Sequence, residues 1–244
     1  MRNIKCVIAY DGTGFSGWQV QKRQRTVQGV FEEALQAMLG GPVRVTAAGR
    51  TDAGVHALGQ VVNFTVRSRI PADGLLRGLN AMLPDDVSVT AVEEAPLDFH
   101  ARYSAIGKTY LYAFSTSPAR NPLRDRYACH VGRPLDVGAM AQAADFLVGT
   151  HDFASFRASG SQVATTVRDV RVCEVLSRDD MVYLWIDGGG FLRHMVRNIA
   201  GTLHQVGTGR LDPTDVLDIL RARDRSKAGP TAPPQGLFLV RVTY

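Results

Sequence analysis

The chain is short of cysteine, of long apolar runs and of acidic charge, and each shortage removes a class of protein. Its three cysteines in 244 residues, Cys6, Cys129 and Cys173, are odd in number and far apart, with no Cys-x-x-Cys pair. That excludes a disulfide-stapled scaffold and speaks against a thiolate metal site, so the expectation is reduced thiols in a cytoplasmic protein with no bound metal. No apolar run is long enough to span a membrane, and the run from Cys6 to Ala9 stops at Asp11, too short for a signal-peptide core. No membrane association is expected. Acid is in deficit: 23 Asp and Glu stand against 28 Lys and Arg, a formal charge of +5. Such a balance attracts a polyanion and says nothing about fold.

What is present supports a sizeable core. With 45% hydrophobic residues the chain can bury one large domain or two smaller ones. The basic excess is clustered in Lys22-Arg23-Gln24-Arg25, in Arg120, Arg124 and Arg126, in Arg193 and Arg197, and from Arg221 to Lys227. Several of these clusters fall in loops or near helix starts, where donors can be presented to phosphates.

Hydrophobic periodicity alternates strands and helices in two halves. Ile4, Cys6, Ile8 and Tyr10 alternate as a strand; Val27, Val30, Phe31, Ala34, Leu35 and Met38 follow helical spacing, ended by Gly40-Gly41-Pro42. Val43, Val45 and Ala47 then alternate, and Val61 to Val66 form a second strand; a helix through Leu75, Leu79 and Leu83 and a strand through Val87, Val89 and Ala91 follow. The second half predicts a strand from Tyr110 to Phe114, a helix capped by Asp136, strands at Val167–Val175 and Val182–Ile186, a helix from about Phe191 to Val206, a helix opened by Asp212-Pro213, and a closing strand from Gly236 to Thr243. The fold class is α+β, with halves at 1–105 and 106–244 forming a cleft, a common place for ligands.

Between Ala47 and Val61 lies Ala48-Gly49-Arg50-Thr51-Asp52-Ala53-Gly54-Val55-His56-Ala57, a loop that puts one acid between a cation and two glycines. Loops held on rigid strands carry a disproportionate share of chemistry, and an isolated Asp there is otherwise a surface turn with an ion pair. Gly12-Thr13-Gly14-Phe15-Ser16-Gly17 matches the glycine spacing of dinucleotide-binding loops, with Glu32 twenty residues on. That motif must open a helix at once, whereas Trp18 to Arg25 intervene as a polar, basic loop, so no nucleotide cofactor is expected. The segment is read instead as a flexible loop carrying Trp18, Gln19, Lys22 and Arg23 toward the phosphate backbone of a nucleic acid. Arg193 and Arg197 are four apart and share a face if helical, which repels unless an anion or carboxylate lies between. His56, His100 and His194 lack metal-ligand spacing.

The Asp52 string resembles the signature of the tRNA pseudouridine synthase A family. Tyr10-Asp11-Gly12-Thr13, Phe15-Ser16-Gly17-Trp18-Gln19 and Thr26-Val27-Gln28-Gly29 are similar to the family's opening, and Phe99 to Ala105 with Lys108-Thr109-Tyr110 to its centre. Phe191 to Asn198, Thr231-Ala232-Pro233 and Gly236-Leu237 match its last third. The resemblance implies a pseudouridine synthase fold: two similar α/β halves, central antiparallel or mixed sheets, and a positively charged cleft. It implies a synthase that isomerises uridine to pseudouridine at positions 38, 39 and 40 in the anticodon stem and loop of tRNA, working as a homodimer with no cofactor.

By the same resemblance Asp52 is the nucleophile, Arg197 pairs with it, Tyr110 stacks on the flipped uracil, and Arg50 helps fill the vacated stack. Lys22, Arg23 and Arg25 are candidate RNA contacts, and Arg193 is left outside the centre. Two departures are visible: Cys129 stands where the family usually has tryptophan, and Pro234 replaces a commoner alanine. Both lie outside the catalytic strings. A non-catalytic tRNA-binding protein would need no Asp52, and a carboxylate glycosidase would need a second acid close to it.

Overall fold

In the computed structural model, which describes residues 1–160 and 163–244, the chain divides into two compact units. Met1–Ile106 and Phe238–Tyr244 form the first, and Gly107–Leu237 the second. Mixed sheets and packed helices give each unit the expected α+β character.

The first unit is built on β1 (Arg2–Tyr10), which pairs antiparallel with β3 (His56–Val66) on one side and β4 (Val87–Ala95) on the other. Ile4 lies opposite Phe64 and Cys6 opposite Val62, so one face of the sheet is continuous and apolar. Helix α1 (Val27–Leu39) covers it, with Phe31 edge-on to Phe64 at 6.4 Å. Burying Phe31 completely contributes about 1.5–3 kcal/mol. The Thr26 hydroxyl caps α1 and Gly40 ends it at φ +75. Helix α2 (Ala72–Met82) packs Leu75 and Leu79 inward beside β4. The last strand, β10 (Leu237–Thr243), runs parallel to β3, with Phe238 opposite His56.

The alternation at Val43, Val45 and Ala47 yields only a two-residue strand, β2 (Thr46–Ala47), beside β3. Glu32 of α1 is the reason: its carboxylate accepts the Val45 amide at 3.1 Å and pairs with Arg44 at 2.9 Å, holding the chain off the ladder.

In the second unit β5 (Gly107–Ser115), β9 (Met181–Gly188), β8 (Val167–Arg178) and β7 (Gly149–Asp152) form a consecutive antiparallel ladder, with the short β6 (Cys129–His130) parallel to β5. Helix α3 (Val137–Asp145), capped by the Asp136 carboxylate on the Ala139 amide, packs on β8 and on α4 (Met195–Gly207). Residues 191–194 lie outside α4, because His194 takes φ +62 and breaks the backbone there. Arg193 and Arg197 therefore do not share a helical face, and the like-charge argument based on their spacing does not apply. Helix α5 (Asp215–Ala222) begins after a turn in which the Asp215 carboxylate accepts the Asp212 amide at 2.8 Å, the reciprocal half of a capping box.

Candidate active site

The Asp52 loop is fastened to the first unit from both sides. At its start the Ala48 amide donates to the Val61 carbonyl at 2.8 Å, and Gln60, fully buried on β3, donates its side-chain amide to the Gly49 carbonyl at 2.8 Å. At its centre Thr51 is held twice: the Trp18 amide donates to its carbonyl at 3.0 Å, and its hydroxyl lies 2.7 Å from the Tyr10 hydroxyl. Burial pushes the Tyr10 phenol up to about 12, with the Thr51 contact pulling the other way. The loop then turns, Val55 donating to the Asp52 carbonyl at 3.1 Å with Gly54 at φ +77. Asp52 is half-buried at this turn, and Arg50 is exposed two residues before it.

The glycines that imitate a nucleotide loop serve this one. A Cβ on Gly12 would sit 2.1 Å from the Val55 carbonyl oxygen, and one on Gly17, at φ +89, 2.8 Å from that of Thr51. The segment 12–18 thus lies backbone to backbone against the Asp52 loop, which only glycine permits. His56 completes the clamp. Fully buried and stacked on Phe238 at 4.7 Å, it accepts the Gly12 amide on Nδ1 at 3.0 Å.

This packing corrects the reading of Trp18 as an RNA-facing side chain: it is 2% exposed and lies against Tyr10. Gln19 is likewise engaged, donating to the Gln28 side chain at 2.8 Å. Lys22 and Arg23 are exposed, Arg23 with φ +59. Arg25 makes a two-pronged pair with Asp86 at 2.7 and 2.8 Å and lies over the Phe15 ring at 4.0 Å. Its guanidinium is committed to the fold. The same holds for Arg120, paired with Asp125, and Arg124, paired with Asp180, which reduces the net charge of that loop.

The second unit holds Tyr110 and Arg197. Tyr110 on β5 is 9% exposed and meets Phe191 edge-on at 5.2 Å, an arrangement that fixes the ring plane. Neighbouring Thr109 donates to Asp187 at 2.7 Å, and Asp187 also accepts from Arg171 at 2.8 Å. Arg197, half-buried in the first turn of α4, donates through Nε to the Ala232 carbonyl at 2.8 Å, while the Ala232 amide donates back to the Arg197 carbonyl at 3.0 Å. A strap at 229–233 therefore lies along α4. Gly201 makes room for it, since a Cβ there would meet the Pro230 carbonyl oxygen at 1.7 Å.

Periodicity missed the residues that secure this strap. Asn198, fully buried, accepts from the Thr231 hydroxyl at 2.6 Å and donates to the Phe156 carbonyl at 2.7 Å. Tyr112 donates to the Pro233 carbonyl at 2.8 Å, and its hydroxyl neighbours the Cys129 thiol, so the cysteine found in place of tryptophan packs against a strand aromatic. The only sequence signal for these was polar residues, Asn198 and Thr202, placed four apart on an otherwise apolar helix face.

A model of the tRNA pseudouridine synthase family matches residues 6–104 and 143–244. The chain belongs to the tRNA pseudouridine synthase A family. Full-length relatives bearing that name are 47% identical in Ruminiclostridium cellulolyticum, 48% in Brevibacillus brevis and 46% in Acetivibrio thermocellus, each covering 100% of both chains. A solved archaeal box H/ACA sRNP Nop10-Cbf5 complex aligns over 93% of this chain and 59% of that chain, with a TM-score of 0.34 and 14% identity, too slight a likeness to argue from. The matched segments contain the Asp52 loop, the glycines packed on it, Arg197 and the 229–233 strap; Tyr110 falls between them.

Proposed function

We propose that this protein isomerises uridine to pseudouridine at positions 38, 39 and 40 in the anticodon stem and loop of tRNA. The observation that carries the reading is the Asp52 loop, a half-buried carboxylate held on a turn whose backbone is pinned by Tyr10, Trp18 and Gln60, in a chain of this family. The reaction breaks the C1′–N1 bond, turns the uracil, forms a C1′–C5 bond, releases the C5 proton to a base and leaves the freed N1 to take up a proton. It needs a carboxylate, a flat clamp for the detached ring and a proton acceptor, with no redox change.

Asp52 supplies the carboxylate, attacking either the sugar or the ring. Arg197 is the cation proposed to keep that carboxylate ionised and oriented, its guanidinium plane fixed by the Ala232 carbonyl. Tyr110, braced by Phe191, clamps the ring. Arg50 helps occupy the stack left by the flipped base, an extrusion that costs a few kcal/mol. Lys22 and Arg23 are exposed candidates for backbone contact; Arg25 would first have to leave Asp86. The reading includes a homodimer with tRNA crossing both subunits.

The test is a tRNA transcript tritiated at uracil C5. Isomerisation releases the label to water, and transcripts with uridine at only one of positions 38, 39 and 40 assign the site. Binding without release would leave a tRNA-binding protein and remove the enzyme.

A further inference from the structure

The second unit has an open cleft of about 660 Å³ that no step of the reaction uses. Ala158, Ser159, Arg193, His194, Asp224, Arg225, Ser226 and Thr231 line it. Its chemistry is an excess of donors. Arg193 is exposed and, among the described residues, no carboxylate pairs with it. Arg225 is half-buried and, among the described residues, donates to neutral oxygens: the Ala228 carbonyl at 3.2 Å, the Asn198 side chain at 3.1 Å and the Thr231 hydroxyl at 3.2 Å. A guanidinium carries five N–H groups, so donors of both arginines remain for a ligand. The one acid in the lining, Asp224, is occupied by the Ser226 amide at 2.8 Å. Two guanidiniums, Arg193 and Arg225, against the one carboxylate of Asp224 leave a single positive charge, which matches the single negative charge of a phosphodiester.

We propose that this cleft is a subsite for one backbone phosphate of the RNA substrate, gripped by Arg193 and Arg225. The proposal rests on the reading of the protein as an RNA-modifying enzyme. The connection to Arg197 favours RNA over free phosphate. Thr231 receives Arg225, and the next residue, Ala232, exchanges hydrogen bonds with Arg197, so the cleft and Arg197 share one strap. A phosphate held in the cleft would belong to a nucleotide near the one being turned over. Burial alone lowers the affinity of Arg225 for its proton, the signature of a cation partly desolvated without a counter-ion, and an anion in the cleft would relieve that cost. The Arg193 carbonyl accepts the Ala158 amide at 2.9 Å, which fixes the backbone from which that side chain reaches.

The experiment measures tRNA affinity as a function of salt for the parent, Arg193→Gln, Arg193→Lys and, as a charge control on the first unit, Arg77→Gln on α2. Arg193→Gln is expected to weaken binding about tenfold and to flatten the dependence of log affinity on log salt by about 0.7–0.9, the loss of one phosphate contact. Arg193→Lys restores the slope, and Arg77→Gln leaves it alone. If Arg193→Gln keeps the parent's slope and affinity, or if Arg77→Gln changes them equally, the subsite is wrong. Competition by inorganic phosphate that depends on Arg193, with an unchanged tRNA slope, would also overturn it, since the cleft would then take the free ion. Tritium release by the parent is measured in parallel: no release removes the underlying enzyme reading, whereas release with an unaltered Arg193→Gln slope removes only the subsite.

Discussion

Replacing Asp52 by asparagine keeps the shape of the side chain and removes its charge and nucleophilicity. Because the loop is held through Thr51, Gly49 and Val55 rather than solely through the carboxylate, Asp52→Asn is expected to fold and to bind tRNA close to the parent while losing tritium release entirely. Retained release would reassign the nucleophile. Tyr110 separates two roles at one position. Tyr110→Phe keeps the ring face and its edge contact with Phe191, whereas Tyr110→Leu, if the proposed stack on the base exists, is expected to cost about 1–3 kcal/mol of base binding. Equal turnover of both variants and the parent would reduce Tyr110 to a packing residue. At this scale the sequence showed Asp52 through its neighbours but could not show that Trp18 faces inward or that Arg25 is spent on Asp86. Both depend on partners distant in the chain, Trp18 meeting Thr51 and Arg25 meeting Asp86, which no local pattern encodes.

Among the elements, the segment 12–18 tests how far the loop depends on its support. Gly17→Ala meets both a positive φ and the Thr51 carbonyl oxygen, and is expected to cost about 1–3 kcal/mol and most of the activity. Gly14→Ala is the control: its Cβ would meet no backbone, only the side-chain ends of Arg25 at 3.2 Å and Asp86 at 3.7 Å, so it should cost less than Gly17→Ala in urea unfolding and in tritium release. Helices and strands with strong periodicity, such as α1, β1 and β9, were legible because burial of one face fixes both pattern and position. Boundaries were less so. Val45 follows strand spacing yet is drawn to Glu32, and α4 begins late because a single residue, His194, adopts a left-handed backbone that no apolar spacing reports.

For the molecule as a whole, alkaline pH is the revealing stress. Burial pushes the Cys6 and Cys173 thiols up to about 12 from an ordinary value near 9, and Tyr10 up to about 12 from near 10. A raised folded-state pKa means the folded chain retains protons that the unfolded chain gives up. The stability from these groups is complete below about pH 9 and declines as pH rises from 9 to 12. Urea unfolding at pH 8, 10 and 11.5 should show the midpoint falling, and Cys6→Ala with Cys173→Ala should flatten the early part of that fall even though both substitutions lower the starting stability. A midpoint that is constant across this range would mean that the thiols ionise freely in the folded chain. The pairing of β10 with β3 is the large-scale feature periodicity could not supply, since each strand is visible alone but its neighbour is not.

That pairing sets an order of events during synthesis. β3 leaves the ribosome early, carrying the β-branched and aromatic run from Val61 to Val66, whereas the strand that lines it at His56 and Ala57 emerges only after the whole of Gly107–Leu237. Throughout that interval part of one margin of β3 offers unmatched amides and carbonyls to any passing strand, and the stack of His56 on Phe238 that braces Gly12 cannot form. A growing chain is thus expected to be both inactive and prone to self-association until β10 arrives. Removing residues 238–244 should freeze that condition, seen as self-association in light scattering together with lost tritium release, and adding the missing segment back as a peptide should reduce the scattering if β3 is the exposed margin.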